Sequence, residues 1–206
     1  MKAVFERTGT PEGLADAIAL ILNEHAPAGL MILAADANGF TPETLDPVIH
    51  KFKTPLFGGI FPQIINAGQN HEKGNVIVAM NETPEIVCIK NLSDPEAFYE
   101  DQLAPFSDEW GQPKHGNDET FIVFVDGLSR RISSLIQDMF YCFGLQRNYI
   151  GGGAGSLSFS QKPCLITPEG LLQDVAVIAK LDLSCGTGVA HGWESISDGI
   201  KVTQAE

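Results

Sequence analysis

The sequence predicts an α/β fold that contains a repeated βαβ unit. Two apolar runs, 31–35 and 121–125, are each followed by an aspartate, a helical stretch and a second apolar run that leads into paired glycines. That succession is the form of a right-handed βαβ unit. The chain after residue 156 consists instead of short apolar runs between turn residues, which is typical of β-strands. We therefore expect mixed sheets flanked by helices, with a β-rich C-terminal segment.

The repeat predicts a single domain over 1–206 with two pseudo-equivalent halves, about 1–103 and 120–206. No low-complexity linker separates the two halves. A chance similarity between two βαβ stretches is the alternative explanation.

Start signals and periodicity define the elements of the first half. A threonine-proline pair followed by apolar residues on one helical face predicts a helix over 11–24. A second threonine-proline pair begins a helical piece over 42–53, which Pro47 breaks or restarts. The predicted strands are apolar runs bounded by turn residues: 2–7, 30–34, 56–60, 76–80 and 86–90. The last two strands are expected to pair as a hairpin, and 66–75 shows no periodicity.

In the second half, Ser93 and Glu96 have capping-box spacing and predict a short helix over 94–103. The polar stretch 105–119 is expected to be a loop. Six apolar residues at helical spacing before a glycine predict a helix over 129–143. The predicted strands of this half are 121–125, 148–150, 156–160, 163–167 and 174–183.

Charge and composition exclude several classes of function. The 206 residues include 13 basic and 26 acidic side chains, and the net charge of −13 opposes binding to nucleic acids and to anionic membranes. The longest apolar run, 28–35, is far shorter than a membrane-spanning helix requires. The first residues lack the apolar region of a secretory signal, so we expect a cytoplasmic protein. Four cysteines without a CxxC motif are expected to be buried, reduced thiols: Cys88, Cys142, Cys164 and Cys185.

The most informative local signal is Gly-Gly-Gly-Ala-Gly at 151–155, which is predicted to form a glycine loop. Each glycine costs about 0.5 to 1 kcal/mol where alanine would serve, so a close backbone approach must offset that cost. The approach is either to a ligand or to a crossing strand. Gly58, Gly59, Asp36 and Asp126 follow equivalent strands, and ligands collect beyond the carboxyl ends of strands in open α/β sheets.

Nucleotide binding and hydrolysis have little support in the sequence. Ser156 follows the glycine segment, and a strand-like pattern comes after it, so no helix N-terminus is offered to a phosphate. Asp36 and Asp126 are candidates for acid/base catalysis or, alternatively, for capping a turn or anchoring a ligand. No serine lies in a GxSxG motif, and no cysteine has a histidine at a spacing that indicates an activated nucleophile.

The histidine that stands apart is His191. Glycines flank His191 and Trp193, so both rings could face a cavity. A stacked core pair is the alternative. A neutral imidazole at this position could ligate iron or hydrogen-bond a carboxylate.

The strand that ends in Asp126-Gly127, the glycine segment at 151–155 and the closing segment 191–199 followed by Val202-Thr203 resemble the N-terminal FIST sensory domain. The resemblance covers about 30–206 and implies an intracellular small-ligand sensor without catalysis. It also implies a C-terminal FIST domain in a longer protein, and a histidine kinase or a cyclic-dinucleotide enzyme as signalling partner. Amino acids are the ligands proposed for the family, while one branch binds haem and senses nitric oxide.

Two departures from the family pattern affect the expected ligand. The first glycine pair is followed by bulky apolar residues, including Phe61, which favours an apolar ligand. Ser156 stands where an acidic residue is common, which weakens an amine-binding role. Haem b ligated by His191 is one alternative, because an apolar slot with a histidine suits haem. Its binding would be noncovalent, since no CxxCH motif is present for covalent attachment. A protein-interaction module without a small ligand is another.

The expected ligand-binding residues come from the strand ends, the glycine segment and the closing segment. They are Asp36, Gly58, Gly59, Phe61, Asp126, Gly152, Gly153, Ala154, Gly155, His191, Gly192 and Trp193.

Overall fold

The structure is a computed structural model that describes residues 1–111 and 119–188, together with 190, 192, 194, 196, 199, 203 and 204. Its helices are α1 (Pro11–His25), α2 (Pro42–Ile49), α3 (Tyr99–Trp110) and α4 (Ile132–Phe143). Its first six strands are β1 (Lys2–Glu6), β2 (Gly29–Ala35), β3 (Leu56–Phe61), β4 (Ile64–Asn66), β5 (Gln69–His71) and β6 (Asn75–Met80). The others are β7 (Glu85–Lys90), β8 (Thr120–Asp126), β9 (Asn148–Ala154), β10 (Leu165–Thr167), β11 (Gly170–Leu172) and β12 (Val175–Leu181). The mixed α/β class is confirmed.

Two sheets repeat one strand order. The first contains β1-β6-β2-β3 and the second β7-β12-β8-β9, and in each the last two strands are parallel and joined by a helix. The chain passes from the first sheet to the second between Met80 and Glu85, because β7 pairs antiparallel with β12 in the second sheet.

The hairpin predicted for 76–80 and 86–90 is therefore wrong. β6 lies between β1 and β2, whereas β7 is an edge strand of the other sheet. Turn residues between two apolar runs predict a reversal of the chain, but here the reversal carries the chain from one sheet to the other.

Helix α3 also differs from its prediction. It spans Tyr99–Trp110 rather than 94–103, and so includes part of the stretch that was expected to be a loop. Buried packing explains the difference, because the rings of Trp110 and Phe121 lie 5.3 Å apart, edge to face. Helix α2 continues through Pro47 to Ile49 as one short helix.

The sheets stack face to face, with a pair of helices on each outer surface. Side chains of α1 and α2 pack on the outer face of the first sheet, and those of α3 and α4 on the outer face of the second. Between the sheets, the ring of Phe124 lies 6.2 Å from that of Phe57 and 5.5 Å from that of Phe61. This four-layer arrangement explains why the central strands are apolar on both faces.

The glycines at 151–153 lie inside β9, not in a loop. A Cβ atom on Gly151 would lie 1.7 Å from the carbonyl oxygen of Val123. A Cβ on Gly58 would lie 1.8 Å from the carbonyl oxygen of Ile32 in the other sheet. For these two glycines, the close approach comes from the neighbouring parallel strand of the same sheet, and not from a ligand.

The stretch 156–160, predicted as a strand, is irregular. Hydroxyls of Ser156 and Ser158 accept hydrogen bonds from the backbone two residues further on, at 3.1 and 3.3 Å. Serines that bond the local backbone in this way favour turns over a sheet ladder.

Candidate functional site

A cleft of about 540 Å³ lies between the two sheets and opens beside β9. Its walls come from the inner faces of β2 and β8, from the chain after β3, and from the middle of β9. The lining residues are Met31, Leu33, Phe61, Gln63, Ile64, Ile65, Ile122, Phe124 and 150–153. The volume falls in the range of small-molecule pockets, about 300 to 1,000 Å³.

Strand periodicity builds this cleft. Met31 and Leu33 alternate along β2 with residues that face the helices, and Ile122 and Phe124 do the same along β8. The glycines of β9 contribute backbone without side chains, which leaves the space open on that side. Sequence reasoning missed these four apolar residues, although the uninterrupted apolar character of both strands signals two buried faces.

A second groove of about 340 Å³ lies on the other face of β9, between that strand and α4. Its walls include Val123 and Val125 of β8, Ile136 and Phe140 of α4, and the same stretch 150–153. The glycine stretch is therefore flanked by an apolar hollow on each face of the sheet.

The structure separates the two glycine pairs by exposure. Gly58 and Gly59 are buried and pair with β10, so they do not line the cleft. Gly151 and Gly152, the counterparts of that pair in β9, are exposed and line it together with Gly153 and Phe61. The strand ends nevertheless meet, because the backbone N–H of Gly155 donates to the carbonyl oxygen of Ile60 at 2.8 Å.

Ala154 completes this junction. It is buried, and its Cβ lies 3.1 Å from the position that a Cβ on Gly59 would occupy. The two glycine strands therefore converge at their carboxyl ends, with the second pair facing the hollow.

Asp36 begins the turn after β2 and is bound by the chain that follows β9. Its carboxylate lies 2.6 Å from the ammonium of Lys162 and accepts a hydrogen bond of 2.6 Å from Ser156. Burial alone would raise the pKa of Asp36, but Lys162 and Ser156 together hold that pKa below its ordinary value. This pairing suits an anchor for the 155–162 segment better than a proton-transfer group.

Asp126 ends β8 and is buried. Its carboxylate accepts hydrogen bonds from the side chain of Gln161 at 2.9 Å and from the backbone N–H of Asp174 at 2.8 Å. Burial raises the pKa of the neighbouring Cys164 thiol, and the nearby Asp126 charge raises it further. All four cysteines are free, and of them only Cys164 is fully buried.

The two aspartates are not structurally equivalent. Gly58 pairs with Ile32 and Gly151 pairs with Val123, so Ala35 is the counterpart of Asp126 and Asp36 lies one position further on. A shift of one residue along a strand reverses the face to which a side chain points. The structure therefore gives the aspartates separate sets of partners and does not place them as a matched pair.

Sequence reasoning missed Asp174. Its carboxylate accepts hydrogen bonds from the hydroxyls of Ser93 and Ser129, at 2.6 and 2.8 Å. Burial alone would raise its pKa, but these hydroxyls and the backbone N–H of Ser93 hold the pKa of Asp174 below its ordinary value. The polar pair Gln173-Asp174 directly before an apolar strand was the signal for a turn, but nothing in the sequence indicated its distant partners.

Most of the closing segment 191–199 lies outside the described residues. His191 and Trp193 lie outside the described residues, and Gly192 is exposed. Within the described part of the chain, no three His, Cys, Asp or Glu side chains are grouped as a metal site would require. No helix among the described residues is long and apolar enough to cross a membrane.

The fold is a two-sheet α/β domain with an apolar cleft between the sheets. The model of the FIST N domain family matches residues 29–206, so the chain belongs to the FIST family of sensory domains. No curated protein matches the chain.

Proposed function

We propose that this chain is a non-catalytic sensory domain that binds a small, mainly apolar molecule in the cleft between its two sheets. The observation that supports this proposal is the cleft itself, which has room for such a molecule and opens at exposed glycines. The partners already held by Asp36 and Asp126 support a role without acid/base catalysis.

The lining favours an apolar ligand over a free amino acid. Apart from Gln63, the described side chains that line the cleft are aliphatic, aromatic or thioether groups. An ammonium or a carboxylate placed among them would lose hydration without gaining an opposite charge. The ligand we expect has an aliphatic or aromatic body and one polar group within reach of Gln63 or of the β9 backbone.

Thermal unfolding in the presence of small probes tests this proposal. Indole and 1-octanol serve as apolar probes, with glutamate and leucine as amino-acid probes. A ligand that binds only the native state at a hundred times its dissociation constant stabilises it by about 2.7 kcal/mol. We expect the apolar probes to raise the melting temperature and the amino acids to leave it unchanged.

Two variants block the cleft in different ways. Leu33→Trp fills it from β2, and Gly152→Leu fills it from β9, where an added Cβ meets no other atom within 4 Å. Leu20→Trp is the matched control, because Leu20 is an exposed residue of α1. Both cleft variants should abolish the shift caused by the probe, and the control should retain it.

Two results would contradict the proposal. Equal shifts in all three variants would place the probe outside the cleft. Stabilisation by amino acids alone would support the amino-acid ligand considered for the family.

The haem alternative remains a second candidate because the cleft is an apolar slot. Among the described lining residues, Met31 supplies a thioether and there is no imidazole, so the proposed axial ligand is His191. A bound haem would supply an iron centre for a diatomic gas such as nitric oxide. Haem titration of the chain and of His191→Ala tests this candidate: a Soret band that is the same in both rejects His191 as the ligand.

For the output of the sensor, we propose that binding is relayed to a histidine kinase or a cyclic-dinucleotide enzyme, with a C-terminal FIST domain in the same protein. Family membership supports this proposal. Autophosphorylation of a candidate kinase, measured with the sensor and with or without the probe, tests it. A kinase rate that does not depend on the probe would reject that kinase as the partner.

A further inference from the structure

The outer edges of β3 and β9 differ although the two strands occupy the same place in their sheets. Beyond β3, the hairpin of β10 and β11 extends the first sheet, with Leu165 opposite Gly59 and Ile166 opposite Gly58. Beyond β9, no strand of the described residues continues the second sheet. The corresponding hairpin of the first half, β4 and β5, lies against β2 and β6 instead.

The backbone of β9 is oriented to accept another strand. The N–H of Asn148 donates to the carbonyl of Glu119, and the carbonyl of Ala154 accepts from Gly127. These bonds direct the even-numbered residues of β9 toward β8, so the N–H and C=O groups of Gly151 and Gly153 point to the open side. Their counterparts in β3 are Gly58 and Ile60, and the N–H of Ile60 donates to the carbonyl of Cys164 at 2.8 Å, just before β10.

Both faces of this open edge have space for side chains. The interlayer cleft lies on one face, and the groove beneath α4 lies on the other. Alternate residues of an added strand would enter the two hollows in turn. Three large apolar side chains that are exposed to solvent border the two hollows: Ile65, Phe140 and Ile150. Leu157 and Phe159, also exposed, line a further groove beside Gly153 at the end of β9. Exposed apolar side chains beside the open edge of a strand are typical of an interaction site.

We propose that the β9 edge binds an extended strand from another polypeptide, antiparallel to β9, with two adjacent large aliphatic residues opposite Gly151 and Gly152. The internal template is β10, whose Leu165 and Ile166 are fully buried against the corresponding glycines of β3. The net charge of −13 favours a strand flanked by basic residues over an acidic one.

A second copy of the chain is a poorer occupant of this edge. Two β9 strands brought together would set glycines opposite glycines, so neither copy could fill the hollows of the other. Two copies that each carry a charge of −13 also repel one another. The proposed strand binding does not depend on the small-ligand proposal.

A peptide tests the proposal without altering the protein. The probe is a fluorescent peptide that carries the sequence of Leu165-Ile166-Thr167 between flanking lysines, titrated into the whole chain and followed by anisotropy. In the template, Ile166 is the residue whose backbone faces the glycine strand. N-methylation of the corresponding amide should weaken binding about tenfold or more, because it removes a ladder hydrogen bond and adds bulk at the edge.

N-methylation of the preceding leucine amide is the matched control, because that amide faces away from β9 in the proposed complex. It should change the affinity little. Equal loss from both methylations, or no saturable binding up to millimolar peptide, would overturn the proposal.

Variants of the protein locate the peptide on the edge. Ile150→Lys places a charge between the two hollows and should abolish peptide binding, whereas Leu20→Lys on α1 should leave it intact. Sedimentation of both variants and of the unaltered chain identifies self-association. A dimer that Ile150→Lys alone dissociates would assign the edge to a second copy and overturn the proposal.

The outcome is distinguishable from that of the small-ligand proposal. Thermal shifts by indole or 1-octanol without peptide binding would contradict the strand proposal and leave the sensor proposal standing. Peptide binding that depends on the methylated position, without any shift by small probes, would do the reverse.

Discussion

The two halves of the molecule repeat the same strand order and the same glycine pair, yet they differ in what covers the pair. In the first half, Gly58 and Gly59 are buried beneath β10, which the second half supplies. In the second half, Gly151 and Gly152 remain exposed between two apolar hollows. Gly58 and Gly151 are therefore required for close strand pairing in both halves, and among the described residues only the first glycine pair is covered by a further strand.

The largest expected difference between the halves is in amide hydrogen exchange. The N–H of Ile60 is bonded to Cys164 inside the sheet, whereas that of Gly153 points to the open edge. We expect the amide of Ile60 to exchange only by large-scale unfolding, about a thousandfold or more below its intrinsic rate, and that of Gly153 to exchange nearly freely. Residue-resolved exchange measured by NMR checks this. Comparable protection at the two amides would mean that the β9 edge is covered in solution.

Substitution of the glycines should separate their structural role from their exposure. Gly58→Ala and Gly151→Ala each force a Cβ into a carbonyl oxygen, and we expect a loss of about 1 to 3 kcal/mol, or more, in the free energy of unfolding. Gly152→Ala is the control within the same strand, because its Cβ meets nothing within 4 Å. We expect that control to stay within about 0.5 kcal/mol of the unaltered chain. Urea denaturation at one pH compares all three variants.

The prediction that Gly58→Ala and Gly151→Ala lower the free energy of unfolding by similar amounts can be contradicted directly. If Gly151→Ala were tolerated while Gly58→Ala were not, β9 would have freedom that its counterpart lacks. The equivalence of the two halves would then hold for strand order but not for close packing.

Much of the fold could be predicted from local patterns, because the parallel strands and the helix α4 leave strong periodic signals. The pairing of strands could not, since it depends on contacts between distant residues. The apolar runs of β6 and β7 read as a hairpin, and nothing local indicates that β12 draws β7 into the second sheet. Trp110 in the polar stretch is a similar case, because its burial against Phe121 extends α3 further than the capping signal implied.

Of the residues named from the sequence, Phe61, Gly152 and Gly153 line the cleft, whereas Gly58 and Gly59 do not. The structure brings the strand ends together. The strand β10 covers the first glycine pair, and its three residues give no indication in the sequence that they pair with β3. The sequence places Asp36 and Asp126 at equivalent positions because both follow apolar runs. In the structure, when the glycines of the two halves are superimposed by sheet register, the two aspartates differ by one residue.

The smallest expected effect is on the acid sensitivity of stability, to which one carboxylate in each half contributes. Glu6, at the end of β1, accepts hydrogen bonds from Thr8, from the amide of Asn75 and from the backbone of Gly9. Asp174, before β12, accepts from Ser93 and Ser129. Burial works against both carboxylates, but these donors hold the pKa of Glu6 and the pKa of Asp174 below their ordinary values. Because the native state then binds fewer protons than the unfolded state, each carboxylate contributes stability above about pH 4 that is lost as the pH falls through the folded pKa.

Glu6→Gln and Asp174→Asn should therefore lower stability at neutral pH and flatten its decline below about pH 4, with no change of slope above pH 6. Asparagine suits position 174 because Asp174 has a left-handed backbone, with φ of 54°. Glu82→Gln, at an exposed carboxylate, is the control and should keep the full acid dependence. Urea denaturation from pH 3 to 7 measures all three variants, and an unchanged acid slope in Asp174→Asn would show that its hydroxyl partners do not stabilise the ionised form.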